Sequence, residues 1–556
     1  MVCAGPRGAR KPPNPVCLRA ARPLICRRMS SQGGRSPRHA LAFWLGALAI
    51  VAGVACHLPD FMQARSMHFQ LSGMPMNGLM YCGMGLIAAG LAAATYGLFP
   101  AQDRRAPDTS AEFQLRSLDD ARLGWAHWKL ILVLGVALVV DVMKPATLGF
   151  VVPGMRGEYV LSTATASLLA LFAMVGTTAG SILWGMLADR MGRRGAILLA
   201  SLMFISTGIC GTMPAFKWNL GMCFLMGLSA GGMLPIVFAL LAEMIPARHR
   251  GWISVLVGGV GSAGGYLAAS SAAAWLEPVF GWRILWLLNV PTGMLVILLS
   301  RHIPESPRFL LQEGKVDEAR RTLAKFGIEL APAPANAPRA AAGRAREFHE
   351  LFRAPYLRLT CTVCLFGLAW GLVNWGFLTW LPTILRDDLH LDGRVANRLL
   401  ARSALFAVPG CALVAWLYGF WSSQKTMVIF ALGTAAVLGA YATLPPGGNP
   451  EWFGLLTVLL LIGLSGMIAM LSPYSAELYP TQLRATGTGV TASSSKVGGV
   501  VGPSAVACIL SAAPGLAVPA LCLTVPLLAA AAALWYNGRE TSGKRLEDIQ
   551  RAAPVT

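Results

Sequence analysis

Apolar residues run along this chain in long blocks, broken by short polar stretches. A helix crossing a bilayer needs about 20 mostly apolar residues, and the blocks have that length. They fall near 41–58 and 79–99, then 130–153, 164–187, 195–214, 218–242, 252–276 and 282–300. After a polar interval come 358–384, 398–421, 426–445, 453–475, 486–511 and 515–536. The pattern predicts an all-α polytopic membrane protein of 14 spans, arranged as two, six, a loop and six. The boundaries read as a basic, disordered N-terminus (1–39), an extra helix pair (40–100) and a linker (101–128). A six-helix bundle (129–301), a loop with an amphipathic helix (302–357), a second six-helix bundle (358–537) and a tail (538–556) follow. The apolar run from Ala40 to Leu58 is too long for an ordinary signal peptide and reads as a retained helix, with Met29 a candidate start.

Composition agrees. Only 13% of the 556 residues are charged and 55% are hydrophobic, against about 25% charged in soluble domains. Such a chain cannot coat itself for water. The net charge of +20 does not mark a nucleic-acid binder, because the arginines and lysines gather in alternate loops, as the positive-inside rule requires. That rule puts both termini and the segments 100–128, 188–194 and 301–357 on the inside. The twelve cysteines are scattered in apolar runs, as at Cys210, Cys223 and Cys508, with neither metal-ligand spacing nor a disulfide framework. No metal or cofactor is expected, and no nucleophile–base pair suggests an enzyme.

The two sets of six are related. AEMIPARHRG follows the fourth span of the first set, with Glu243 and Arg250; AELYPTQLRATG follows the fourth of the second, with Glu477 and Arg484. Each pair is separated from its counterpart by 234 positions, and so is Gly185 from Gly419. Parallel repeats predict two similar bundles about a pseudo-twofold axis, with a substrate site between them near the membrane midplane.

Charges inside spans are costly, about 2.5–3.5 kcal/mol on insertion scales, and are functional candidates for that reason. Asp141 and Lys144 lie in the first of the twelve spans, three residues apart and so on one helix face. Pro145 leaves the carbonyl of residue 141 without its helical donor. The pair serves transport, with Asp141 as the proton carrier, or is a structural pair that neutralises itself. Lys496 lies about ten residues into the eleventh span, beside Ser493, Ser494 and Ser495; it meets substrate, or its head snorkels to an interface. Trp370, Asn374 and Trp375 in the seventh span face a cavity or simply pack, and Tyr474 after Pro473 is a similar candidate. The glycine-rich stretch 258–266 reads as close helix packing by small residues.

The most specific string is GMLADRMGRR, residues 185–194. Gly185 permits close helix approach, Asp189 suits a helix N-terminus, and Arg190, Arg193 and Arg194 anchor the loop at the cytoplasmic surface, while a merely charged loop would not explain Gly185, Asp189 and Gly192 at these spacings. Together with Glu243, Arg250, Glu477 and Arg484 these residues form a candidate ionic latch between bundles. The string resembles the signature between the second and third helices of the major facilitator superfamily. PESPRFLLQEGKVDEA (304–319), AELYPTQLRATGTG and GFLTWLPTIL (376–385) are similar to segments of its sugar-porter-like and organic acid:proton symporter members. The resemblance covers about 125–540 and departs from the family in the extra helix pair. In the second half GFWSSQKTMV puts Ser422 and Ser423 where the carboxylate and its neighbour would be, which predicts a one-sided latch. Proton-coupled relatives often carry an arginine early in the fourth span, where this chain has Cys223.

That resemblance implies a secondary active transporter working by alternating access, expected as a monomer; the alanine- and arginine-rich composition suggests a bacterial inner membrane. A cation at the position of Lys496 implies an anionic substrate. The reading is therefore proton-coupled symport of a small aromatic or aliphatic carboxylate, met by Lys496 and Lys144. A sugar or polyol carrier, or a non-transporting sensor on the same fold, are the alternatives.

Overall fold

A computed structural model describes residues 37–99, 113–116, 122–332, 348–387, 390–445, 449–479, 481–513 and 515–542. The basic N-terminal stretch thus lies almost wholly outside the described residues, as does the tail beyond Ser542. Fourteen helices among them are long and apolar enough to cross a membrane. They are α1 (Arg38–Met67), α2 (Gly78–Leu98), α3 (Trp125–Tyr159), α4 (Thr163–Met191), α5 (Arg193–Thr212), α6 (Phe216–Met244), α7 (Arg248–Phe280) and α8 (Ile284–His302). The second set comprises α9 (Leu357–Asp387), α10 (Gly393–Phe420), α11 (Ser423–Thr443), α12 (Pro450–Leu478), α13 (Thr486–Ala512) and α14 (Ala517–Asn537). Helices satisfy their own backbone groups, which is what hydrocarbon demands. Large apolar side chains such as Leu132 and Trp275 are exposed on the outside of the bundles.

The bundles α3–α8 and α9–α14 meet along four lines: α7 on α10 and on α12, α4 on α13, and α3 on α9. A 234-residue shift exchanges α4 for α10 and α7 for α13, so the α4–α13 and α7–α10 contacts are the same contact seen from either bundle. Within the first bundle the glycine-rich stretch of α7 lets it pack closely against α3. A Cβ on Gly261 would strike Leu138 at 2.6 Å, and one on Gly265 would strike Val142 at 2.6 Å, both on α3.

The extra pair α1 and α2 packs as a tight hairpin whose backbones touch at Gly46–Gly90 and Gly53–Gly83. It leans on α5, outside the twelve-helix core. Its connecting loop reaches the core: the Leu71 and Ser72 N–H groups donate to Glu158 Oε1 at 2.8 and 2.9 Å. Glu158 also pairs with the fully buried Arg283 at 2.7 Å and accepts from Trp282 Nε1 at 2.9 Å. On the face carrying the 185–194 loop (here the motif face), two short helices, Pro307–Gln312 and Val316–Ala324, join the bundles. There a two-stranded antiparallel ribbon pairs β1 (Phe113–Arg116) with β2 (Glu329–Pro332), tying the linker before α3 to the inter-bundle loop.

Candidate functional site

A cavity of about 1490 Å³ lies between the bundles. Its mouth, on the motif face, is lined by Arg248, His249, Arg250, Tyr418, Glu477, Thr541 and Ser542. Its depth is marked by the outermost lining residues of the helices: Ala146 on α3, Met174 on α4, Ala230 on α6, Tyr266 on α7, Thr379 on α9, Leu461 on α12 and Lys496 on α13. Beyond those positions the bundles close.

Asp141 lines the wall while its side chain is almost fully buried, and Lys144 Nζ sits 3.1 Å from Asp141 Oδ1. Lys144 itself is not among the lining residues. Its ammonium turns into the first bundle and lies 4.1 Å from the centre of the Phe204 ring on α5. The expectation that Lys144 meets the substrate is therefore corrected: its place is behind Asp141, as partner and not as wall. Lys496 does line the cavity, and no carboxylate among the described residues lies within salt-bridge distance of its Nζ. With Asp141 and Lys144 cancelling, Lys496 leaves one uncompensated positive charge in the deep part of the cavity. An isolated charge away from bulk water is unfavourable, and an entering anion relieves it.

Trp370, Asn374 and Trp375 all line the cavity. Trp370 donates its indole N–H to the Leu464 carbonyl at 2.8 Å, which fixes the ring. Asn374 and Trp375 lie in a π-helical turn, Leu372–Phe377, inside α9. Such turns widen a helix locally and recur at functional sites. Tyr474 is corrected as well. It is fully buried away from the cavity, its hydroxyl donating to the Arg539 carbonyl and accepting from the Arg539 N–H, both at 2.8 Å.

The latch residues divide. Gly192, with φ +88°, turns the chain into α5, and a Cβ there would meet the Glu305 carboxylate at 2.5 Å. That carboxylate, not Asp189, caps α5: it accepts from Arg193 N at 2.6 Å and Arg194 N at 3.4 Å. Asp189 instead pairs with Arg193 at 2.7 Å within its own loop, while Arg190 stands exposed. Gly185 has open space around its Cβ position, so it serves no close approach. Glu243 accepts from Ser306 Oγ at 2.5 Å, and Glu477 accepts from the Tyr418 hydroxyl at 3.0 Å. Arg250 donates to the Ile245 carbonyl at 3.3 Å; the side chain of Arg484 lies outside the described residues.

The second half is not left bare as its serines suggested. Glu540, from the segment after α14, caps α11: Ser422 Oγ donates to it, as do Ser423 N at 3.0 Å and Ser423 Oγ at 2.7 Å. Glu305–Ser306 and Glu540–Thr541 thus hold the same place in the two bundles. Partial burial pushes the Glu540 carboxyl up, but the bonds from Ser422, Ser423 and Ser542 outweigh it and hold the group below the usual carboxylate range.

Sequence reasoning missed the closure of the opposite face. There Arg386 of α9 pairs with Glu277 of α7 at 3.0 Å, and Asn397 of α10 donates to Glu277 Oε2 at 2.5 Å. Arg156 of α3 pairs with Asp387 of α9 at 2.9 Å, and Arg394 donates to the Pro278 carbonyl at 3.4 Å. All four contacts cross the bundle boundary. The cavity is open at the motif face and clasped shut at the other.

Two helical bundles around a central cavity, open on one face and clasped on the other, fit a membrane transporter and not an enzyme. Residues 132–503 match the Major Facilitator Superfamily, and the chain belongs to that family. It is 27% identical over 439 residues to the niacin transporter NiaP of Acinetobacter baylyi, covering 78% of this chain and 98% of that one. It is 29% identical over 459 residues to a gallate transporter of Pseudomonas putida, covering 78% and 96%. It is 27% identical over 391 residues to the 4-hydroxybenzoate transporter PcaK of the same species, covering 68% and 84%. Among solved structures it is similar in fold to the Escherichia coli xylose transporter XylE in a partially occluded inward-open conformation, with TM-score 0.60, 17% identity and coverage of 75% and 99%.

Proposed function

We propose that this protein is a proton-coupled symporter of a small aromatic carboxylate in a bacterial inner membrane, with both termini and the motif face on the cytoplasmic side. On that orientation the cavity faces inward. The observation that carries the substrate class is Lys496, a cation on the cavity wall with no carboxylate in salt-bridge reach. Trp370 and Trp375, on the same cavity wall, offer flat apolar faces to a ring, and Asn374 offers both a donor and an acceptor. Arg248, His249 and Arg250 at the mouth favour an anion electrostatically. The relatives named for niacin, gallate and 4-hydroxybenzoate, all small aromatic acids, support the same class.

Asp141 carries the proton in this reading. Protonating it leaves Lys144 uncompensated, raises the positive excess around the cavity, and so makes proton and anion bind cooperatively. Proteoliposomes offered labelled aromatic acids, aliphatic acids and sugars, with and without an inward-directed proton gradient, test this. Uptake of aromatic acids accelerated by the gradient is expected. Uptake of sugars alone would overturn the reading.

A further inference from the structure

Tyr266 stands at the closed end of the cavity and has no role in anything described so far. It is the outermost residue of α7 on the cavity wall, 5% exposed, and its hydroxyl has no hydrogen-bond partner among the described residues. Its ring is fixed against Phe150 of α3, with centroids 5.5 Å apart. One helical turn earlier on the same face, Ser262 accepts from Ser465 of α12 at 3.2 Å, so that hydroxyl is already engaged. A buried hydroxyl left unpaired is unfavourable, and the great majority of buried polar side chains are paired. On a rigidly held ring at the end of a substrate cavity, this one is a polar group waiting for a ligand atom.

The axial order along the cavity says which ligand atom. Counting from the helix starts at the mouth, Ala247 for the helix of α7 and Thr481 for that of α13, Tyr266 lies 19 residues in and Lys496 lies 15 residues in. At 1.5 Å per residue these are depths of about 28 and about 22 Å, a difference of about 6 Å. Lys496 and Tyr266 therefore both lie deep in the cavity, with the phenol about one helical turn further toward the blind end than the cation.

We propose that Tyr266 determines specificity by hydrogen-bonding a second polar atom on the substrate ring, at the end remote from the carboxylate. This rests on the aromatic-carboxylate reading of the cavity and adds to it a second recognition point. The substrates so selected are ring acids bearing a hydroxyl or a ring nitrogen. Either can pair with a phenol, whereas an unsubstituted ring leaves the hydroxyl orphaned. Sites built to hydrogen-bond a substrate group discriminate strongly against analogues that lack it.

The test uses the purified full chain and three probes: benzoate, 4-hydroxybenzoate and nicotinate. Wild-type protein is expected to bind at least one of the two substituted acids about tenfold more tightly than benzoate. In Tyr266→Phe that advantage should vanish while benzoate affinity stays unchanged. The ligand-free variant should melt no lower than wild type, since it loses only an unpaired hydroxyl. If the variant keeps the discrimination, or weakens all three acids equally, Tyr266 is a packing residue and the proposal is overturned. If the wild type binds all three with equal affinity, the specificity role falls while the aromatic-acid reading stands. If it binds none of the three, the aromatic-acid reading falls and takes the proposal with it.

Discussion

Glu277 on α7 and Arg386 on α9 join the two bundles at 3.0 Å on the face opposite the cavity mouth, both largely shielded from solvent. Asn397 of α10 completes the clasp from the second bundle by bonding both partners. Alternating access requires these contacts to part whenever the cavity opens the other way. Hydrogen bonds to charged groups contribute about 1.5–3 kcal/mol, enough to bias a two-state equilibrium by tenfold or more.

Arg386→Gln is therefore expected to move the population toward the state open on the clasped face. Cysteines introduced at positions lining the outer ends of α9 and α10 should then react faster with a membrane-impermeant thiol reagent. Unchanged labelling rates in the variant would mean that the clasp does not set the equilibrium.

The tail prediction turns on Glu540. A carboxyl held below its unfolded value near 4.5 stabilises the fold fully above that value, and the contribution is lost as the pH falls through the lower folded pKa. Hydrogen exchange of the start of α11 and of residues 538–542 should stay slow from pH 7 to about 5 and rise below about 4.5. Glu540→Gln should exchange faster at pH 7 and lose that pH dependence. A variant as well protected as wild type would remove Glu540 as the cap.

Removing residues 1–100 deletes two spans and preserves the inside–outside sense of the rest. The truncated chain is expected to insert and keep some transport, because the pair lies outside the twelve-helix core. It should melt at a lower temperature, since Glu158 loses the Leu71 and Ser72 donors while still facing the buried Arg283. A truncated protein that is stable yet wholly inactive would make the pair part of the transport unit.

Asp141→Asn mimics the protonated carboxyl and leaves Lys144 without its counter-charge. This variant should still bind the aromatic anion, but its uptake should no longer respond to a proton gradient. A gradient effect of wild-type size in the variant would take Asp141 out of the coupling.

The spans, the repeat and the loop motifs were legible in the chain because each is a local pattern: hydropathy over about twenty residues, or a string with fixed spacing. The side-chain directions were not. Asp141 and Lys144 share a face by spacing, yet only Asp141 reaches the cavity, because Lys144 folds toward Phe204 of a neighbouring helix. Tyr474 looked like a wall residue and is engaged with the backbone of Arg539, far along the chain. The cap on α11 did have a signal that went unread: Glu540–Thr541 follows the twelfth span of the core as Glu305–Ser306 follows the sixth. The Glu277–Arg386–Asn397 clasp had none, since charges flanking spans are ordinary and only the tertiary fold brings these three together.

The central claim is that Lys496 is the anion site, and equilibrium binding of a labelled aromatic carboxylate to purified protein tests it most directly. Lys496→Gln should show no saturable binding while remaining folded and monodisperse, and Lys496→Arg should retain part of it. Wild-type affinity in the Gln variant would contradict the account.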